Sequence, residues 1–337
     1  MCYNENNKIK EVKTMNAKTK KIVSVVLFLI IFSLLVIIAT IYDYKISEIL
    51  ASKGLENGNY FSNNIFGRIF EVIGEMPLYL FLMFAMSILV VNCDKISKQN
   101  IKIISKIILY VGGILICFYG IYKIGKYLSE LNTSLYFLHD NYLTYAVMLL
   151  LSIIIQLLLC FLMQKHLKDL CIKLLPFAFV IIVTAALSQI IVQGIKPFFA
   201  RERFRAIYYL EYRNVASQGF TKWFVMNGSA SKIANTFASD LNVTSTFFSS
   251  FPSGHTAGAG ITYSLIALPL CIQTLNNKKY KWLFYVIPIV ITGTVALSRI
   301  VMGAHYMSDV LFGGTLAFLS TVLGILIFNK IKIKCSK

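Results

Sequence analysis

The segment Ser298–Asp309, S-R-I-V-M-G-A-H-Y-M-S-D, sets an arginine, a histidine and an aspartate within twelve residues, between two long apolar runs. His305 and Asp309 are four apart. On a helix they share one face, so the carboxylate can accept the imidazole N–H. That contact fixes the tautomer and leaves the second ring nitrogen as a nucleophile or a base. Arg299, upstream, carries a planar donor fork suited to a phosphate or a carboxylate. In isolation the segment reads equally as a helix end at a membrane edge, where polar residues are common. Two other stretches raise the weight of chemistry.

The first is K-P-F-F-A-R-E-R-F-R, Lys196–Arg205. Lys196 and Arg203 are seven apart, two helical turns, so a continuous helix would point them the same way. Arg201 is a further candidate for the same anion. The second is F-P-S-G-H-T-A-G-A-G, Phe251–Gly260, which opens an apolar run. Pro252 and Ser253 punctuate a helix start. Such a start offers free N–H groups and a positive dipole end, a ready anion site. Gly254 lets an anion approach the backbone, and His255 stands where it can deliver a proton to a leaving group.

The elements that must position these residues are membrane helices. Of 337 residues, 57% are apolar and only 14% charged, with a mean hydropathy of +0.69. A soluble domain cannot hide so much apolar surface, so the expected class is an all-α polytopic membrane protein. About eight runs approach spanning length: 22–42, 76–93, 103–122, 142–164, 174–195, 255–273, 282–298 and 306–328. Between the first two, Phe66–Ile73 has helical period and predicts a short interfacial helix. The second, third and fourth runs read as plain anchors.

The net charge of +18 suggests nucleic acid until its distribution is read. With the N-terminus cytoplasmic, segments 1–21, 94–102, 165–173, 274–281 and 329–337 fall inside and carry nineteen lysines and four acids. The outer loops 43–75 and 123–141 carry five basic and seven acidic residues. This asymmetry orients the chain, with both termini cytoplasmic, and argues against a nucleic-acid partner. Loop 196–250 breaks the rule with seven basic and three acidic groups, and all six arginines fall on the outer side. An anionic ligand explains that excess. None of the seven cysteines lies in an outer loop or has zinc-site spacing.

The same topology brings the three polar stretches to one outer face. Three cations and a helix N-terminus describe a phosphate site, and two histidines in different surroundings suggest a nucleophile and an acid. No carboxylate cluster suited to Mg²⁺ stands beside them, so neither metal nor cofactor is expected. The three stretches resemble the signature of the type 2 phosphatidic acid phosphatase superfamily, K-x6-R-P, P-S-G-H and S-R-x5-H-x3-D. Lys196 and Arg203, then Pro252–His255, then Ser298, Arg299, His305 and Asp309 carry the resemblance, which covers about the last half of the chain. Phe204 stands where that signature has proline.

The resemblance implies catalytic roles for His305, His255 and Asp309. His305 attacks phosphorus to give a phosphohistidine, Asp309 orients it, and His255 protonates the departing oxygen and then takes a proton from water. Lys196, Arg203, Ser253, Gly254 and Arg299 hold the phosphoryl oxygens. It also implies a six-helix core, so two spans are extra. The expected organisation is a basic tail over 1–21, four N-terminal spans over 22–164 with 103–164 the inserted pair, and a motif-bearing region over 174–328 with an extracytoplasmic loop over 196–253. Within it, residues 206–250 carry aromatics and read as a lid. The implied function is a plasma-membrane phosphatase acting outside the cytoplasm on a lipid phosphate or diphosphate, such as undecaprenyl diphosphate, phosphatidate or phosphatidylglycerol phosphate. Alternatives are a lipid phosphotransferase or a soluble sugar-phosphate phosphatase of the same superfamily. A non-enzymatic alternative is a lipid transporter or binding protein with a degenerate site, though the midplane charges and internal repeats of transporters are not seen.

Overall fold

A chain that crosses lipid must satisfy its backbone groups within helices or closed barrels. This chain uses helices. The computed structural model describes residues 17–56, 58–237 and 243–335, and the regular structure among the described residues is entirely helical. In order, the helices are α1 (Ala17–Leu55), α2 (Ile65–Ile73), α3 (Met76–Asn92), α4 (Gln99–Leu131), α5 (Tyr142–His166), α6 (Lys168–Lys173) and α7 (Leu175–Phe199). Then follow α8 (Phe204–Tyr212), α9 (Ala230–Ala234), α10 (Gly254–Ala259), α11 (Leu268–Cys271), α12 (Lys278–Lys281), α13 (Leu283–Val301) and α14 (Met307–Cys335). The expected basic tail lies outside the described residues up to Asn16, and α1 begins at Ala17, within it.

Seven stretches among the described residues are long and apolar enough to cross a membrane: Ile22–Leu55, Ile65–Lys95, Gln99–Leu131, Tyr142–His166, Leu175–Tyr212, Lys279–Val301 and Met307–Lys330. The chain is thus an all-helical multi-pass membrane protein. The expected sixth run is not among these seven stretches because its helix changes type along its length. Gly254–Cys271 is helical, but as α10, a 3₁₀ stretch over Gly260–Ala267, and α11. Close packing goes with the change of helix type. Residues 250–262 are buried without a break, and a Cβ on Gly260 would collide with Ala317 of α14. A 3₁₀ turn is thinner and rises about 2.0 Å per residue against 1.5 Å, which suits a segment walled in on all sides.

In lipid, apolar burial does little to join helices, so small residues and polar pairs take over. The Gln156 amide of α5 donates to Ser87 Oγ of α3 at 3.1 Å, and Gly113 of α4 is the space that amide occupies. Thr184 of α7 and Thr321 of α14 share a hydrogen bond of 3.1 Å. Leu78, Ile88, Val91, Phe177, Ile181 and Ile261 fill the core between α3, α7 and the broken segment. The outward faces of α1, α4 and α5 expose Leu34, Ile108 and Ile154, as a lipid-facing surface requires.

The predicted interfacial helix forms as α2. Asn64 caps it by accepting from Gly67 N at 3.0 Å, with Ile65, Ile69 and Ile73 exposed and Glu71 buried. At the far end of α3, Asp94 gathers Lys106 at 2.8 Å and Lys102 at 3.2 Å. If the Gly260–Ala317 contact sets the spacing of the broken segment, Gly260→Ala is expected to destabilise the protein by about 1–3 kcal/mol. Ala317→Gly in the same chain should restore most of that in detergent thermal unfolding; independent, additive losses would show that the two positions do not share the contact.

Candidate active site

Lys196 sits in the last turn of α7. The helix ends at Ala200, which takes a left-handed φ of 40° and turns the chain away. That conformation is uncommon for a residue with a Cβ, and here the chain around it is pinned on both sides. Ser250 N donates to Arg201 O at 3.0 Å and Arg203 N to Phe247 O at 2.9 Å. Lys196 and Arg203 are therefore not two turns apart on one helix, as their spacing suggests. The helix stops between them, and the turn brings both to one cavity. Phe204, in place of proline, is the first residue of α8, the helix position that proline favours. Its side chain packs with Ala51, Leu55 and Tyr306, so the substitution adds an anchor and keeps the turn.

The second motif opens α10. Ser253 is fully buried; its Oγ accepts from Thr256 Oγ1 at 3.0 Å and from Thr256 N at 3.4 Å. It shapes the helix start and is absent from the cavity lining. Gly254 does line it, and a Cβ there would sit 3.5 Å from Lys196 Nζ. The start of α10 is seated on α14: Ser253 N donates to Asp309 O at 3.0 Å, and a side chain at Gly313 would collide with the Ser253 carbonyl.

The third motif spans the end of α13 and the start of α14. Gly303, at φ 61°, makes the reversal, and its carbonyl accepts from Arg205 N at 2.8 Å. His305 lies in this turn, before α14 begins, with Asp309 in the helix's first turn. The shared-face expectation is corrected accordingly. Asp309 Oδ2 is 3.7 Å from His305 Nδ1, while the Ser250 carbonyl is 2.6 Å away. A carbonyl only accepts, so Nδ1 carries the proton and Nε2 keeps its lone pair. Asp309 acts through its neighbours: its Oδ2 accepts from Ser250 Oγ at 2.5 Å and from Tyr306 N at 2.8 Å.

Arg201, a candidate for the anion, has another task. It is fully buried and absent from the cavity lining. It donates to Asp309 Oδ1 at 2.5 Å, Asp43 Oδ2 at 2.9 Å, Ser308 Oγ at 2.8 Å and Thr221 O at 2.8 Å. Every nitrogen of its fork is engaged behind the site.

The cavity holds about 430 Å³ and is lined by Lys196, Arg203, Gly254, His255, Arg299 and His305. It also takes Arg205, and residues from the expected outer loops 43–75 and 123–141: Glu71, Glu75, Lys123 and Tyr127. Arg299 is held by both oxygens of Glu71, with Nη2 3.3 Å from Oε1. Arg205 Nη1 lies 3.5 Å from Glu71 Oε2. Among the described residues, the side chains of Lys196 and Arg203 have no hydrogen-bond or ion-pair partner. His255 lies between the α2 and α3 acids, its Nδ1 3.2 Å from Glu75 Oε1 and its Nε2 3.2 Å from the Glu71 carbonyl. Burial pushes the His305 imidazole well below the ordinary histidine range; Asp309 opposes that, and Arg203 and Arg299 add to it.

Fold and cavity together define a multi-pass helical protein with two histidines and unpaired cations in one pocket. Residues 173–333, just under half of the chain, match the PAP2 superfamily. Over 70 residues it is 40% identical to phosphatidylglycerophosphatase B of Bacillus subtilis (strain 168), a match covering 21% of this chain and 34% of that protein. The chain thus spans about a third of the length of that curated relative. No solved structure matches it.

Arg201→Met leaves two buried carboxylates without their counter-charge and should cost about 3–5 kcal/mol in detergent unfolding. Arg203→Met orphans no partner and should leave the thermal midpoint nearly unchanged while weakening protection by inorganic phosphate. The depressed histidine is read by ¹⁵N-imidazole spectra, assigned among the chain's four histidines by single substitutions. His305 should remain neutral at about pH 5.5, where an unperturbed histidine of pKa ~6.5 is about nine-tenths protonated. An imidazolium signal for His305 at that pH would overturn the assignment of a buried neutral ring.

Proposed function

We propose that this protein is an integral membrane phosphatase that hydrolyses a lipid phosphate or lipid diphosphate through a phosphohistidine. The observation that carries the reading is the pairing of two unpartnered cations, Lys196 and Arg203, with a histidine whose Nε2 keeps its lone pair, in one cavity. Phosphoryl transfer needs little covalent help beyond a nucleophile; it needs positive charge fixed around the equatorial oxygens.

His305 Nε2 attacks phosphorus in line, and the N–P bond forms as the P–O bond to the lipid breaks. His255 gives the departing oxygen its proton. Water then attacks the phosphohistidine, His255 takes the proton, and the N–P bond breaks to release phosphate. Lys196 and Arg203 meet the phosphoryl oxygens directly, with Arg299 and the Gly254 N–H beside them. Asp309 and the Ser250 carbonyl keep the nucleophile in its tautomer. These cations supply the charge that a metal would otherwise provide.

The site opens outside the cytoplasm, in the plasma membrane. Support comes from the lysines of segments 94–102 and 165–173, which gather at the end of α3 away from the cavity. A lipid head group then enters from the outer leaflet. The name of the Bacillus subtilis relative puts phosphatidylglycerol phosphate in the panel of substrates beside undecaprenyl diphosphate and phosphatidate.

The experiment is phosphate release by the purified protein in detergent from that panel, with EDTA present. Release is expected from at least one lipid, and His305→Ala should reduce it by about three orders of magnitude or more. A folded His305→Ala protein of near-normal activity would sink the mechanism. Transfer of the label to a second lipid instead of water would redirect the reading to a phosphotransferase.

A further inference from the structure

Glu75 stands at the N-cap position of α3 yet makes no capping bond with its side chain. Its carboxylate is turned to other partners. Oε1 lies 3.2 Å from His255 Nδ1 and Oε2 lies 3.7 Å from Lys123 Nζ. The Tyr79 hydroxyl donates to Oε2 at 3.4 Å. The Glu75 side chain is 14% exposed and that of His255 is 8% exposed, so this contact is shielded from water and worth more than a surface pair. An acid held here without capping its own helix is costly unless it has work with its partners.

The partners of His255 make that work specific. Nε2 faces the Glu71 carbonyl at 3.2 Å, and a carbonyl only accepts. The carboxylate on Nδ1 also only accepts while it is ionised. The protonated ring satisfies both, and a neutral ring leaves one acceptor facing a lone pair. Burial and Arg299 hold the His255 imidazole below the ordinary histidine range, and Glu75 is the strongest group opposing them. The other charged and titratable groups turned to this ring are Glu71 on α2, Lys123 and Tyr127 on α4, and Lys196 on α7.

Resting on the phosphatase reading above, we infer that Glu75 is the positioning residue of His255. It grips the Nδ1–H so that the Nε2–H can be handed to the departing oxygen, and it stabilises the ring while it carries the proton. The Nε2 contact with the Glu71 carbonyl is long at 3.2 Å, as expected for a proton exchanged for a better acceptor during the reaction. Lys123 holds the far oxygen of the same carboxylate, so α4 fixes the direction from which Glu75 approaches. Each histidine then has its own acid: Asp309 serves His305 through Ser250, and Glu75 serves His255 directly.

The test separates acid catalysis from packing by the leaving group. kcat/KM is measured for an alkyl ester, phosphatidate, whose leaving oxygen needs a proton, and for p-nitrophenyl phosphate, whose leaving group does not. Glu75→Gln, nearly isosteric, should lower kcat/KM for phosphatidate by about 30-fold or more, within the range of a general-acid contribution, and for the nitrophenyl ester by less than about 5-fold. The alkaline limb of kcat/KM for phosphatidate should move down by about one pH unit or more, as loss of an opposite charge requires. Glu75→Asp should recover most of the activity. An equal fall on both esters with an unmoved limb would mean a packing role and overturn the inference, as would unchanged kinetics in Glu75→Gln. A wild-type protein that releases phosphate from neither ester nor from any other lipid of the panel overturns the phosphatase reading and this assignment with it.

Discussion

The structure hangs on one buried cation. Arg201 is fully enclosed and meets Asp43 of α1 and Asp309 of α14 at once, with Ser308 and the Thr221 carbonyl completing its shell. Two carboxylates and a guanidinium out of water are tolerable only with nearly every lone pair and proton matched, and here the guanidinium leaves no nitrogen unused. The network joins the first helix, the link after α7, the loop that follows α8 and the last helix. It also sets the chemistry in front of it. With one oxygen held by Arg201, Asp309 offers the other to Ser250 and to the Tyr306 amide. Ser250 in turn offers its carbonyl to His305. The tautomer of the proposed nucleophile is therefore decided two residues behind it.

In front of that network the charges divide into spent and unspent. Glu71 absorbs Arg299 and takes part of Arg205, and Glu75 absorbs Lys123. Lys196 and Arg203 are left over. A binding site that keeps its cations unpaired in a half-buried pocket raises their mutual repulsion until an anion enters. Such fixed charge costs no reorganisation when a phosphoryl group arrives. The two acids are not opponents of the anion site: by holding Arg299 and His255 in place, they determine which cations remain available and in what direction.

The parts of this site that were legible in the sequence are those whose function depends on neighbours in the chain. Gly254 and His255 lie side by side, and Arg299, His305 and Asp309 fall within one turn and its flanking helix ends. Residue types and spacing were enough to group them. The geometry within the groups was less legible, because a carbonyl of Ser250, which any residue could have supplied, replaced the carboxylate as the partner of His305. Arg201 and Arg205 illustrate the limit. Both are arginines in one cluster, yet Arg201 turns inward and Arg205 lines the cavity, a choice made by Asp43 and Glu71 from distant helices. Some signal for those helices was present. Glu71 and Glu75 are four apart, and Lys123, Tyr127 and Glu130 recur at helical spacing where α4 leaves its apolar run. Counting them as loop charges concealed that periodicity. The change of helix type in the sixth run was illegible for a related reason: hydropathy reads a 3₁₀ stretch and an α-helix alike, and only the glycines at 258 and 260 hinted at close packing.

The region matching the superfamily carries every motif residue, yet it does not enclose the cavity. Glu71, Glu75, Lys123 and Tyr127 come from before residue 173. α4 is seated on α3 where Gly120 admits the Tyr79 ring, and on α5 where Gly113 admits the Gln156 amide. This packing carries Lys123 and Tyr127 to the mouth of the site, whereas no residue of α5 lines it. If α4 and α5 are an insertion into a six-helix core, as we propose, they are an unequal pair: α5 braces the hairpin from outside, and α4 supplies a wall of the pocket. An inserted helix that holds one acid against His255 becomes hard to remove, because its loss would leave Glu75 without Lys123. The last half of the chain thus brings the two histidines, and the first half brings the carboxylate that faces one of them.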